Sequence, residues 1–311
     1  MKLVFMGTPQ FAVPSLRALA GSRHEIAAVV TNPDRPAGRG RKVTPPPIKP
    51  VSEELELELV QPPSLRDPEF IDQLSQLGAD LFVVVAFSIL PRSLLRLPMV
   101  GSVNLHPSLL PAYRGAAPIV WALFNGDTET GVTSFLLTPR VDAGDVLIQE
   151  RVAIQEDETA GELEVRLREL GARVLVNSID GLEDGTVKPV PQSAQGLSQA
   201  RKLTKEDGRI DWKQPSAQIH NLIRGANPTP GAFCDWQGGQ TLKIHRSKSR
   251  PGPCVSAPGT VVAADEGSGL QVATGDGALE LTQVQPAGKP SMDAAAFLRG
   301  HQVTVGMRLG R

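Results

Sequence analysis

Apolar runs and helical periodicities alternate over the first 180 residues. Residues 2–6 form an apolar run closed by Gly7-Thr8-Pro9. Phe11, Val13, Leu16 and Leu19 follow at helical spacing, with Pro14 early in that helix, where its missing N–H is tolerated. A second apolar run covers 25–30. Strand, helix and strand in immediate succession predict the opening of a parallel α/β sheet. The pattern continues with helices over 52–59 and 68–77 and a nearly continuous apolar strand over 80–86, the signature of a strand buried on both faces. Further on it predicts a helix over 117–124, a strand over 146–154 and a long helix over 159–182. In that helix Leu163, Leu167, Leu170, Val174 and Ile179 trace one face, and Glu162, Glu164, Arg166, Arg168 and Arg173 supply the wet side.

The pattern changes after residue 184. Residues 184–208 are polar and carry few apolar positions, which marks a domain boundary. Beyond a helix over 217–224, short alternating apolar runs at 241–245, 259–264, 269–273 and 278–282 are separated by Gly, Asp and Pro. Such spacing predicts a small β-barrel or sandwich. The expected organisation is a domain over 1–188, a linker over 189–206 and a second domain over 207–311.

Composition narrows the function only a little. Lys and Arg number 32 against 33 Asp and Glu, a net charge of -1, so any nucleic-acid contact must rest on local clusters. Two such clusters exist. Residues 31–50, rich in Pro and Gly, carry Arg35, Arg39, Arg41, Lys42 and Lys49 with no acid from Arg35 through Ser52, and are expected as a mobile surface loop. Lys243, Arg246, Lys248 and Arg250 lie in a stretch without acids from Gln237 through Ala264. Cys234 and Cys254 stand in no metal-ligand spacing. The N-terminal apolar run is too short for a signal peptide and no stretch has the roughly 20 apolar residues of a membrane span, so a cytoplasmic location is expected.

The chemistry concentrates in 102–145. A strand here carries Asn104 and His106 two residues apart, hence on one face, with Pro107 restricting the backbone behind them. An amide can donate to a developing oxyanion and an imidazole can move a proton. A carboxylate bonded to the imidazole would orient it and raise its pKa, and spacing leaves both Asp142 and Asp145 as candidates. The other four histidines read as structural. Ser108 has no nucleophile-elbow context, so an acyl-enzyme is disfavoured and direct transfer to a substrate amine fits better. The first turn, Gly-Thr-Pro-Gln-Phe, lacks the GxGxxG of a dinucleotide site.

At these residues the sequence resembles the folate-dependent formyltransferases. The resemblance rests on Asn104-x-His106, SLLP at 108–111, RGAAP at 114–118 and D-x-G-D at 142–145. It extends through PDRPAGRG at 33–40, IDW at 210–212, NPTPGA at 227–232, ATGDG at 273–277 and QPAGK at 285–289, and so covers the whole chain. Two departures stand out: Phe87 where many members have Tyr, in a segment one residue shorter than the commonest form, and Thr-Pro-Arg-Val before Asp142. The resemblance implies a Rossmann-like formyltransferase domain linked to an OB-like β-barrel. It implies 10-formyltetrahydrofolate as co-substrate without a metal, and initiator methionyl-tRNA as the partner of a monomeric protein. By it, Asn104, His106 and Asp142 carry catalysis. Ser108, Leu109, Leu110, Pro111, Phe87 and Ile89 line the folate site, and Arg35, Arg39, Arg41, Lys42, Lys243, Arg246 and Lys248 meet the RNA.

Overall fold

A run of Leu, Val, Phe and Met can be a strand only where both faces are covered, and β1 (Lys2–Gly7) holds such a place: Leu3, Val4, Phe5 and Met6 are fully buried. In this computed structural model, which describes residues 1–37, 40, 42–265 and 267–310, β1 lies inside a seven-stranded sheet. Its other strands are β2 (Glu25–Val30), β3 (Leu59–Val60), β4 (Leu81–Val85), β5 (Gly101–His106), β6 (Glu129–Leu136) and β7 (Val146–Ala153), in the order β7–β6–β5–β4–β1–β2–β3. The five strands from β5 to β3 pair in parallel, while β6 runs antiparallel to both β5 and β7. The sheet is therefore mixed, with its one reversed strand, β6, beside the strand that carries Asn104 and His106.

The long helix forms at Ala160–Glu183, and all five residues of its predicted apolar face are buried. Thr159 and Glu162 bond each other's backbone N–H at 3.3 and 2.9 Å, which fixes where it starts. The stretch 31–50 differs from expectation. Arg35–Ala37 and Lys42–Thr44 pair as a short antiparallel hairpin, and a helix occupies Ile48–Glu54 rather than 52–59. The reason is burial: Ile48 is fully covered and Val51 nearly so, while Pro47 presets the backbone at the helix start. The base of the hairpin is pinned where Asp34 accepts from Lys49 and Gln61, both at 2.8 Å. None of the helices among the described residues is long and apolar enough to cross a membrane.

The chain divides into two compact units. One comprises Met1–Gly115, Glu129–Ala153 and Glu164–Ala200, and the other Ala116–Thr128, Ile154–Leu163 and Arg201–Arg311. The second contains β8 (Ala232–Trp236), β9 (Gln240–Pro251), β10 (Val261–Asp265), β11 (Gly269–Ala273) and β12 (Gly277–Pro286), all paired antiparallel in the order β8–β9–β12–β11–β10. Strand β8 and the helix Ala294–Gly300 escape the sequence pattern, since Asp235 breaks the apolar run of the first. The C-terminal tail joins the two edges: Arg308 bridges Thr260 just before β10, and Gly310 bridges Asp235 in β8. The tail thus covers one stretch of backbone at each edge. Inside lies a core with Trp212, Trp236 and Phe297 at its aromatic centre. Cys234 is buried and free, its thiol pushed up to about 12 by desolvation.

Candidate active site

The period of two along β5 sends Val103 and Leu105 into the core and leaves Asn104 and His106 on the opposite face. Asn104 is half-buried and its carboxamide bonds to none of the described residues. His106 is 4% exposed, and its Nε2 lies 2.9 Å from the Tyr113 carbonyl. A carbonyl only accepts, so Nε2 carries the hydrogen and Nδ1 keeps its lone pair in the neutral ring. Nδ1 lies 3.9 Å from Oδ2 of Asp142. That separation is too long for a hydrogen bond.

The expectation that a carboxylate orients and charges the imidazole is thus modified. The orienting bond comes from Tyr113, whose left-handed backbone (φ 60°) turns its carbonyl toward the ring. Desolvation lowers the His106 pKa, outweighing the opposing effects of Asp142 and of the Tyr113 bond. The resting imidazole is neutral, with a carboxylate close enough to stabilise the cation once it forms.

Spacing left Asp142 and Asp145 equivalent, and the structure separates them. Asp142 points its carboxylate at His106 and accepts from the Gly115 N–H at 2.8 Å. Asp145 instead pairs through its backbone carbonyl with Leu136 at the mouth of the β6–β7 hairpin. The turn between them is crowded: a Cβ on Gly144 would stand 1.6 Å from the Leu136 carbonyl oxygen. Gly144→Ala is therefore expected to displace the Asp142 turn, lowering the melting temperature by several degrees and turnover by at least tenfold. Calorimetry and a rate measurement on one preparation check this.

Asn104 and Asp142 open on a cleft that also exposes Phe87, Ser88, Ile89 and Thr138. Ile89 is 77% exposed at its lip, an apolar surface of the kind that covers a flat ring. Ser108–Pro111 lie elsewhere. Ser108 is fully buried with its hydroxyl donating to the Ala112 carbonyl at 2.6 Å, and Thr133 ties down Ser108 and Leu110. Gln149 adds a bond to the Leu110 carbonyl. This loop carries the chain from His106 round to the Tyr113 carbonyl, so its visible work is to hold the ring. Tyr113 and Gly115 act through backbone groups, which residue type does not advertise; Gly115, at φ 124°, showed in the sequence only as part of RGAAP at 114–118.

Of the cationic candidates, Arg35 and Lys42 lie exposed on the hairpin, and Arg39 and Arg41 fall outside the described residues. Lys243 and Lys248 are five apart and would face opposite ways on a regular strand. Irregular pairing between Ile244 and Ser247 resets the alternation, so Leu242, Ile244 and Ser247 point inward and both lysines point outward. Arg246 is paired with Glu162.

Residues 1–179 match the family described as formyl transferase, and residues 202–302 match the formyl transferase C-terminal domain. A methionyl-tRNA formyltransferase of Moorella thermoacetica is 45% identical over 100% of this chain and 99% of that protein. Those of Symbiobacterium thermophilum and Trichlorobacter lovleyi are 46% and 44% identical, each covering 99% of this chain and 95% and 96% of theirs. Among solved structures, an N-formyltransferase from Helicobacter canadensis with folinic acid and dTDP-3-aminofucose has a TM-score of 0.67 at 19% identity, covering 93% of this chain and all of that one. HypX from Aquifex aeolicus with tetrahydrofolic acid has a TM-score of 0.62 at 18% identity, over 99% of this chain and 50% of that one. These two share the fold. By sequence and by length, the chain belongs to the formyl transferase family, among the methionyl-tRNA formyltransferases.

Proposed function

We propose that the protein transfers the formyl group of 10-formyltetrahydrofolate to the α-amine of methionine esterified to initiator tRNA. The observation that carries this is a neutral imidazole with a free Nδ1 facing a carboxylate, beside an unengaged carboxamide on the same strand face. That set suits attack by an external amine. The amine adds to the formyl carbon, the Asn104 amide donates to the oxygen as it becomes anionic, and His106 Nδ1 takes the ammonium proton. The same nitrogen returns the proton to N10 of the folate, the C–N10 bond breaks, and formyl-amide and tetrahydrofolate leave. Asp142 stabilises the transient imidazolium. Phe87 and Ile89 cover the pterin, and Ser108–Pro111 support the site from below.

Purified protein should formylate initiator methionyl-tRNA with 10-formyltetrahydrofolate, and much more slowly elongator methionyl-tRNA or a dTDP-amino sugar. Preferential formylation of the amino sugar would overturn the assignment of acceptor.

The exposed cations Arg35, Lys42, Lys243 and Lys248, with Arg39 and Arg41, are proposed to meet tRNA phosphates. Lys243→Ala combined with Lys248→Ala should raise the KM for tRNA about tenfold at moderate salt and flatten its salt dependence by up to about two charges. Folate binding should be unchanged. Titrating salt in the tRNA KM assay, with fluorescence for folate, measures both.

A further inference from the structure

The polar stretch read as a linker is built into the active site from residue 190 to residue 200. Val190 and Val146 exchange backbone hydrogen bonds at 2.8 and 2.9 Å. The Ser198 hydroxyl accepts from Tyr113 N–H at 2.8 Å, and its carbonyl accepts from Arg114 N–H at 3.0 Å. Gln199 and Ala200 pair in parallel with Arg114 and Gly115. The contacts made by Ser198, Gln199 and Ala200 fall next to backbone groups that serve the catalytic pair: the Tyr113 carbonyl on His106, and the Gly115 N–H on Asp142.

Gln192 is the centre of this arrangement. Its Oε1 accepts two bonds from the Arg114 guanidinium, from Nε at 3.2 Å and Nη2 at 2.6 Å. Its Nε2 donates to the carbonyls of Asp142 at 3.0 Å and Gly144 at 2.7 Å. The orientation of the amide is forced, because guanidinium only donates and carbonyls only accept. A cation on the acceptor end also polarises the amide and strengthens the bonds its other end makes. Asp142 needs such support, since a non-glycine residue at φ 49° is held in a sparsely populated backbone region. We propose that Gln192 is a positioning residue: anchored by Arg114, its carboxamide clamps the Asp142–Gly144 turn so that the Asp142 carboxylate stays against His106. Arg114 belongs to the same device, one residue before the Gly115 that binds the carboxylate directly.

This inference rests on the role given to Asp142 above, and a double-mutant cycle tests the two separately. Gln192→Met keeps the length of the side chain and removes its hydrogen bonds; Gln192→Glu keeps the shape and the Arg114 contact but loses the donors. Each should lower kcat about ten- to a hundredfold, as expected for a misplaced catalytic group. The KM for both substrates should stay within about threefold of wild type, and the acid limb of the pH–kcat profile should move to lower pH as the carboxylate leaves the imidazole. In an Asp142→Asn background, Gln192→Met should cost almost nothing more, because its effect passes through the carboxylate. Wild-type kcat in both Gln192 variants, full additivity with Asp142→Asn, or losses that follow the melting temperature in both variants would overturn it. Unchanged kcat in Asp142→Asn alone would instead remove Asp142, and with it the reading on which the inference stands.

Discussion

His106→Ala is expected to lower formyl-transfer turnover by about three orders of magnitude, within the range for loss of a general acid–base group. The effect should appear in kcat, with the KM for folate and tRNA little changed, because the ring is buried and the role proposed for it is proton transfer rather than binding surface. Its resting state gives the pH dependence a sign. A base works when deprotonated, so activity falls as the pH drops through the His106 pKa. Desolvation places that pKa below the ordinary imidazole value, and the acid limb of kcat/KM should therefore lie below about pH 6.5. Asp142→Asn removes the charge that opposes desolvation and should move the limb lower still. A limb above the ordinary imidazole range that also moves in Asp142→Asn, as a limb set by the substrate amine would not, would mean that His106 rests as a cation and acts as an acid first. Steady-state rates over a pH series, with stability monitored at each pH, decide between these.

Asn104→Ala is expected to cost about a hundred- to a thousandfold in kcat, close to the loss of one preorganised oxyanion donor at about 3 kcal/mol. The carboxamide is already free of bonds to the described residues, so no partner has to be broken before it can serve a substrate oxygen. Its removal should leave the His106 geometry intact, since the ring is held by Tyr113 and not by Asn104. The pH profile should accordingly keep its wild-type shape at a reduced height. A variant that loses folate affinity while kcat stays normal would make Asn104 a binding group instead.

The contrast between these two residues and the rest of the site shows what kind of information the chain carries locally. Asn104 and His106 share a face because a strand repeats every two residues, and that could be read without any tertiary contact. The apolar face of Ala160–Glu183 and its Thr159–Glu162 start were equally legible, being fixed by residues three and four apart. The helix Ile48–Glu54 was only partly so: its first turn lies in the Pro-rich stretch read as a loop and its end in the helix expected over 52–59, and it starts early because Ile48 and Val51 are buried in a core.

The alternating α/β pattern, the β-rich second part, the Asn–x–His pair and the two cationic stretches are legible in the chain, since each is written in neighbouring side chains. Spacing left Asp142 and Asp145 open and only the resemblance favoured Asp142; tertiary structure puts its carboxylate toward the imidazole, and it alone decided that Tyr113 fixes the tautomer and that Gln192 reaches back from an apparent linker. It also decided that Lys243 and Lys248 share a face. The physical reason is the same in each case. These features depend on backbone carbonyls, N–H groups and strand irregularities brought together across tens of residues, and such groups are common to every residue type.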